Sequence, residues 1–400
     1  MFNLPEKIIF CGKCVQSNQR PSSIPEFLHT PSRKGAKYLN IERNSKGELI
    51  CDACKTAEMK KKINWKKREK ELLVLLEKYR SDDGSYDCIV PGSGGKDSVM
   101  ASHLLKYKYG MNPLTVTWPP IMYTDYGLKN FKNWIEIGGF DNITFKQNGK
   151  VQRLLTKLSI EKLLHPFQTF ILGQKNIGPR MAAKYNVPLV FYGEAEAEYG
   201  NPTSELKSVR DNYYWLSDNK NKFFLAGHPI KELMINHNLK YNDLRPYLPL
   251  DKIEMGSKKI QVHYLGYYIK WVPQESYYYA TEHTKFKARP YRTQGTYSKY
   301  NSIDDKIDDL HYYTTYIKFG LGRATYDASQ EIRNNHITRE EGVNLVKRFD
   351  GEFPDRYIDE VFKYLNISKN DFLKSLDKFR PQHLWFKKGN SWRLKKTVFD

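Results

Sequence analysis

Residues 93–98, Ser-Gly-Gly-Lys-Asp-Ser, gather two glycines, two hydroxyls, a cation and a carboxylate within six positions. Gly94 and Gly95, with Gly92 just before them, let the backbone take positive φ and come close to a ligand, while Ser93 and Ser98 offer hydroxyls. A loop of this kind at the start of a helix holds anions, because the first N–H groups of a helix lack intrahelical partners and its start carries partial positive charge. The spacing is not that of the Walker phosphate loop: Lys96 is followed by Asp97, and the first glycine sits too close to the lysine.

Cysteine supplies a second set. Of five cysteines, four fall in CGKC (11–14) and CDAC (51–54). Two such knuckles let Cys11, Cys14, Cys51 and Cys54 close tetrahedrally on one zinc, a site that folds a lobe too poor in apolar residues to fold alone. An iron–sulfur cluster or a redox pair would use the same residues. Pro21, Pro25, Pro31 and Gly35 make the stretch between the pairs a loop. A third set is acidic: GEAEAEYGN (193–201) offers Glu194, Glu196 and Glu198 for Mg²⁺ or for proton transfer.

These residues need elements to position them. Cys88-Ile89-Val90 is β-prone and Val99-Met100-Ala101 with Leu104-Leu105 resumes at helical spacing, so the glycine loop reads as strand, tight loop, helix. Strands follow at Leu114–Thr117, Asn142–Phe145 and Pro188–Tyr192, alternating with helices near Gly127–Ile137, Val151–Leu164 and Ile177–Tyr185. Such alternation implies a doubly wound parallel sheet, with ligands at the carboxyl ends of the strands, where the glycine loop and Gly193-Glu194 both lie. Trp65–Tyr79 reads as an amphipathic helix through Leu72, Leu73, Leu75 and Leu76.

From residue 202 the periodicity degrades. Aromatics crowd YYW (213–215), YLGYYIKW (264–271) and ESYYYATEHTKF (275–286), which read as a cap over the site, mostly packed in its core. IKFGLGRATYDASQEIR (317–333) sets Arg323 beside two glycines, and Thr338 with Glu341 forms a capping box. Four hundred residues suggest two or three domains. The divisions expected are 1–80 (cysteine lobe and connecting helix), 81–201 (nucleotide-binding), 202–310 (aromatic cap and substrate region) and 311–400 (helical, completing the site). No apolar stretch reaches the roughly 20 residues of a membrane span. MFNLPEKIIFCGKC lacks the apolar core of a secretory signal. A cytoplasmic chain is expected, in which disulfides are out of place. The net charge of +20 raises a nucleic-acid partner, but the lysines are scattered, and KKKINWKKREK (60–70) reads first as a solvated helix face.

SGGKDS resembles the PP-loop of the ATP pyrophosphatases, which cleave ATP between the α and β phosphates and adenylate an oxygen of their substrate. Together, CGKC, CDAC, INWKKREKELL, YDCIVPGSGGKDS, TVTWPP, GQKNIGP, PLVFYGEAEAEYGN and KFGLGRATYDASQEIR resemble the N-acetyl sugar amidotransferases, the PseA- and WbpG-like enzymes of bacterial surface-glycan synthesis. That resemblance covers nearly the whole chain, and HPFQTFILGQKNIGP (165–179) is closer to the PseA-like branch, associated with nonulosonic acids such as pseudaminic acid. It implies a PP-loop (adenine nucleotide α-hydrolase-like) α/β fold with an N-terminal zinc-ribbon-like lobe and a mostly helical C-terminal region. It further implies an ATP-dependent, AMP-producing synthetase that turns the acetamido group of a sugar or sugar nucleotide into an acetamidino group, for lipopolysaccharide or flagellin glycans.

On that resemblance Ser93, Gly94, Gly95, Lys96, Asp97, Ser98 and Thr117 bind ATP, Lys96 neutralises charge in the transition state, and Asp97 with Glu194 organises Mg²⁺. Arg323 takes a phosphate or the sugar carboxylate. Ammonia comes from a separate HisH-like glutaminase, in some systems with a HisF-like partner, since Cys88 lies on a core strand with no neighbouring His. Two readings of other classes stay open. A PP-loop tRNA-modifying enzyme, sulfurtransferase or lysidine synthetase-like, would account for the charge and the cysteines, although sulfur transfer lacks a cysteine near the loop beyond Cys88. A non-catalytic ATP-sensing module would keep the loop without the chemistry.

Overall fold

The structure, a computed structural model, describes residues 3–22, 37–194, 216–217 and 223–400. Strands β1 (Ile41–Arg43) and β2 (Leu49–Cys51) form an antiparallel hairpin, and helices α1 (Asp52–Lys60) and α2 (Trp65–Tyr79) lead from it. The central sheet comprises β3 (Cys88–Pro91), β4 (Pro113–Thr117), β5 (Asn142–Thr144), β6 (Leu189–Tyr192) and β7 (Gln261–Tyr264). Its order is β7-β6-β3-β4-β5, parallel throughout. The chain therefore runs outward from β3 in one direction, then returns to build outward from β6 in the other. The seam between β3 and β6 is the switch point at which α/β sheets open a crevice.

The strands read as near-continuous apolar runs because both faces are covered. On one face Cys88, Val90, Leu189 and Phe191 pack with Leu72 and Leu76 of α2 and with Ala101 of α3 (Lys96–His103). On the other, Ile89, Leu114, Val116 and Val190 pack with Val151 and Leu155 of α5 (Gly149–Leu163) and Ile177 and Met181 of α6 (Gln168–Tyr185). The sheet is doubly wound, as the alternation implies, and α4 (Asp125–Glu136) follows β4.

Three elements depart from the sequence reading. Helix α6 starts at Gln168, nine residues before the expected Ile177, and passes straight through Pro179. Proline removes the hydrogen bond to the carbonyl four residues back, here that of Lys175, and the Tyr192 hydroxyl donates to it instead at 3.1 Å. The orphan acceptor is satisfied by the neighbouring strand, so the helix continues. The second departure is β7. The region expected to be a cap contributes the edge strand of the main sheet, Gln261–Tyr264 pairing with Leu189–Tyr192.

Beyond it lie α7 (Pro273–Thr284), α8 (Asp308–Phe319), α9 (Arg323–Arg333) and α10 (Arg339–Phe349), the last opened by the Thr338–Glu341 capping box. The third departure lies in 311–400, expected to be helical: Trp385–Lys388 and Ser391–Leu394 form a hairpin turned at Gly389, whose φ is +59°. Among the described residues no helix is long and apolar enough to cross a membrane.

Candidate functional site

A cleft of about 800 Å³ opens at the seam between β3 and β6. The loop after β3 supplies Ser93, Gly95, Asp97 and Ser98, the loop after β6 supplies Gly193 and Glu194, and α6 supplies Gln174 and Lys175. Trp118 and Tyr264, at the ends of β4 and β7, close the wall. Helix α6 reaches this position because it has no side chain where it meets the sheet: a Cβ on Gly173 would lie 2.1 Å from the Trp118 ring.

The two glycines of the loop have different duties. Gly94 sits at φ +83°, and a Cβ there would lie 2.6 Å from the Phe131 Cα, so the loop's shape needs it. A Cβ on Gly95 would meet nothing closer than the Ser93 hydroxyl at 3.9 Å, so it faces open space at the start of α3. That is where a phosphate would lie against unpaired N–H groups. Gly94→Ala is accordingly expected to lower the melting temperature by a few degrees, about 1–3 kcal/mol. Gly95→Ala should melt with the wild type and instead weaken nucleotide binding at least fivefold. Thermal melts paired with nucleotide titrations check both.

The charged residues are tied down. Lys96 Nζ lies 2.6 Å from Asp97 Oδ2, and the Trp271 indole N–H donates to Asp97 Oδ1 at 2.8 Å. The Lys60 ammonium donates in turn to the Trp271 carbonyl. Ser93 donates to Asp304 at 2.9 Å and Ser98 to the Gly95 carbonyl at 2.9 Å. Burial and then the charge of Asp97 push the Glu194 carboxyl above its ordinary value, against the pull of Lys175, Lys96 and Arg323. Asp97 and Glu194 both line the cleft, and a pair of carboxylates there suits a divalent cation. Arg323 belongs to the same field, its Nε donating to Asp327 at 2.9 Å and its Nη1 to the Tyr312 hydroxyl at 3.0 Å.

Thr117 is not brought to the cleft. It is fully buried at the end of β4, and its hydroxyl accepts from the Asn142 side-chain amide at 3.0 Å. The sheet uses it as a cross-strand clasp. Glu196 and Glu198, and the aromatics at 213–215, lie outside the described residues. Of the other aromatic runs, Trp271 and Tyr268 are core residues, whereas Tyr278 is exposed. Cys88 is fully buried and burial pushes its thiol up, which leaves it unsuited to nucleophilic work.

A second cleft, about 970 Å³, adjoins the first and shares Gln174 with it. Its wall includes Arg323 and Tyr312, Asp304, Asp305 and Asp308, and the aromatic rings of Phe167 and Phe170.

The four cysteines of the two knuckles meet within 4.8 Å of one another and are all buried. The Cys11–Cys54 and Cys14–Cys51 sulfurs lie 3.9 and 3.7 Å apart. Four sulfurs at about 2.3 Å from a central zinc would sit about 3.8 Å apart in a tetrahedron, so the donor set fits such an ion. The Cys51 N–H points at the Cys11 sulfur at 3.3 Å, an outer contact that suits a thiolate. Among the described residues the lobe's apolar core consists of these cysteines with Leu39, Ile50 and Ala53, too little to hold a fold by itself.

Several residues of the site had no local signal. Trp271 and Asp304 reach the glycine loop from 174 and 211 residues away. Gln174 and Lys175 lie within GQKNIGP, and Trp118 within TVTWPP, segments distinctive in composition but silent about which way their side chains face.

Comparison with known proteins adds two findings. Residues 294–398 match a family model described as LPS biosynthesis protein WbpG-like, C-terminal domain. An uncharacterized protein of Methanocaldococcus jannaschii is 42% identical over 89 residues, 22% of this chain. The match spans 30% of that relative's length.

Proposed function

We propose, from the premise that this chain belongs to the WbpG-like family of LPS biosynthesis proteins through residues 294–398, that it is an ATP-dependent amidotransferase of surface-glycan synthesis. Its substrate is an acetamido sugar of the nonulosonic or uronic acid type, free or nucleotide-linked. The observation that carries the reading is the pair of joined clefts: one floored by a glycine loop and helix start with room for phosphate, the other roomy and polar, with Gln174 at their boundary.

An amide needs activation because its oxygen leaves poorly. In the proposed reaction the acetamido oxygen attacks the α-phosphorus of ATP and pyrophosphate departs, giving an adenylated imidate. Ammonia then adds to the imidate carbon, AMP departs with the C–O bond, and a proton is lost to leave the amidine. The N–H groups beyond Gly94 and Gly95, with the Ser93 and Ser98 hydroxyls, hold the departing pyrophosphate. Lys96 offsets charge that builds on the phosphates in the transition state. Asp97 and Glu194 would hold Mg²⁺, which when bound supplies charge neutralisation at the phosphates. Cys11, Cys14, Cys51 and Cys54 would hold a structural zinc.

Ammonia would come from a separate glutaminase of the HisH type, with a HisF-like subunit as a further candidate, since Cys88 is sealed in the sheet and the other four cysteines converge on one point. The purified chain is therefore expected to release AMP and pyrophosphate with ammonium and an acetamido sugar or sugar nucleotide, and not with glutamine. Adding a cognate glutaminase should restore glutamine use. Release stimulated by bulk tRNA and by no sugar would replace this reading with RNA modification, and efficient glutamine use by the chain alone would point to an overlooked nucleophile.

A further inference from the structure

The second cleft contains an arginine that the reaction above does not use. Arg20 lines it from the cysteine lobe, is only 7% exposed, and has no hydrogen-bond partner at Nε or Nη1 among the described residues. A guanidinium out of water and short of acceptors is costly, and an incoming anion would remove that cost. Tyr326 gives partial relief, its ring 5.1 Å away and its side chain hydrogen-bonded to the guanidinium, whereas Arg333 adds like charge.

The carboxyls on the same wall are occupied elsewhere. Asp304 accepts from Ser93, Asp305 from the Ile121 and Ile307 N–H groups, and Asp308 from the Asp305 N–H. Burial pushes Asp305 up to about 7 and Asp308 well above the usual carboxylate range, which weakens both as counterions. His311 is pushed down to about 3 by burial and is neutral. The pocket thus presents the guanidinium of Arg20, that of Arg323 with its Nε already paired to Asp327, the buried carboxyls, and the rings of Phe167 and Phe170.

We propose that Arg20 is an anion-binding residue of the acceptor pocket, presented by the cysteine lobe to receive, with Arg323, the carboxylate or phosphate of a carbohydrate ligand. The ligand class follows from the wall. Guanidinium groups match carboxylate and phosphate oxygens in bidentate geometry, carboxyls hydrogen-bond hydroxyls, and aromatic rings accept the apolar face of a sugar. Arg20 is also held in place beforehand: its N–H donates to the Ser17 carbonyl at 3.3 Å, and its carbonyl accepts from Leu39, itself packed among the cysteines, at 2.9 Å. A charge fixed in advance binds at lower entropic cost than one ordered by its ligand. The proposal rests on the reading of this cleft as the acceptor site.

Equilibrium titration calorimetry on the full chain, without ATP, tests it with three probes: N-acetylneuraminic acid for a carboxylate, UDP-N-acetylglucosamine for a diphosphate, and N-acetylglucosamine as the neutral member. The wild type should bind at least one anionic probe more tightly than the neutral one, and which one identifies the anion. Arg20→Gln should weaken that probe at least tenfold and leave the neutral one within twofold, with metal content and melting temperature unchanged. Arg20→Lys, which keeps the charge and loses the fork, should fall between, and it carries the test if the glutamine variant does not fold. Equal weakening of charged and neutral probes, no weakening, or no preference of the wild type for an anion would overturn the proposal. Because no turnover is read, a chain that never forms AMP would remove the proposed reaction and leave this site standing. Unaltered binding in the variants would do the reverse.

Discussion

AMP formation by the Asp97→Asn chain is expected to fall at least about a hundredfold, about 2.7 kcal/mol of barrier. Asparagine keeps an oxygen for the Trp271 indole N–H, which now lies 2.8 Å from Asp97 Oδ1, so the loop should hold its place. What changes is the other side of the group. An amide N–H₂ would face the Lys96 ammonium now seated 2.6 Å from Asp97 Oδ2, and the negative charge of the carboxylate would be gone. Lys96→Ala removes the complementary charge and should cost as much. Turnover within tenfold of wild type in either variant, measured as AMP from labelled ATP, would remove these residues from the chemistry and leave them as supports of the loop.

The Cys51→Ser chain is expected to lose its metal and at least about 3 kcal/mol of stability, because a metal that assembles its own lobe contributes its binding free energy to folding. Cys51 is fully buried, with its sulfur 3.7 Å from that of Cys14. A serine oxygen is both a poorer ligand and a buried hydroxyl without an acceptor. Elemental analysis of the purified chain should find one zinc, and a chelator should lower the wild-type melting point towards that of the variant. A brown, iron-bearing protein would change the identity of the centre, and an unaltered melting point would show that the thiols hold nothing the fold depends on.

The elements legible in the sequence are those decided by local chemistry. Cys88-Ile89-Val90 is apolar on both sides because helices cover both faces of its sheet, and Trp65–Tyr79 shows its apolar stripe at the right spacing. Lys96 and Asp97 can be placed at a helix start from sequence because the glycine loop and the apolar spacing after it fix where the helix begins. The elements that escaped depend on distant partners. Gln261–Tyr264 is a strand because β6 offers it an edge, and its flanking tyrosines mask any alternation. The first half of α6 was hidden by Pro179, whose disruption is cancelled by a tyrosine on another element. Thr117 sits where a ligand-facing residue would be expected, yet Asn142 claims its hydroxyl, a contact that no spacing rule anticipates. Arg20 stands 303 positions from Arg323 in the chain, and nothing in either neighbourhood announces that they line one pocket.

The docking of the cysteine lobe also sets a timetable. Arg339 donates to the Cys11 carbonyl across 328 residues, His383 meets Gln19 across 364, and Lys396 donates to the Ile8 carbonyl across 388. Closing loops of this length adds little equilibrium cost, since that cost grows only with the logarithm of length. The delay is kinetic. At roughly 5–20 residues per second, a ribosome needs on the order of half a minute to deliver the docking segments after the knuckles have emerged. For that interval four thiols stand without the surface that later encloses them, open to oxidation and mispairing. The metal would act as their escort during synthesis, and supplying it while the chain is being made matters more than supplying it afterwards.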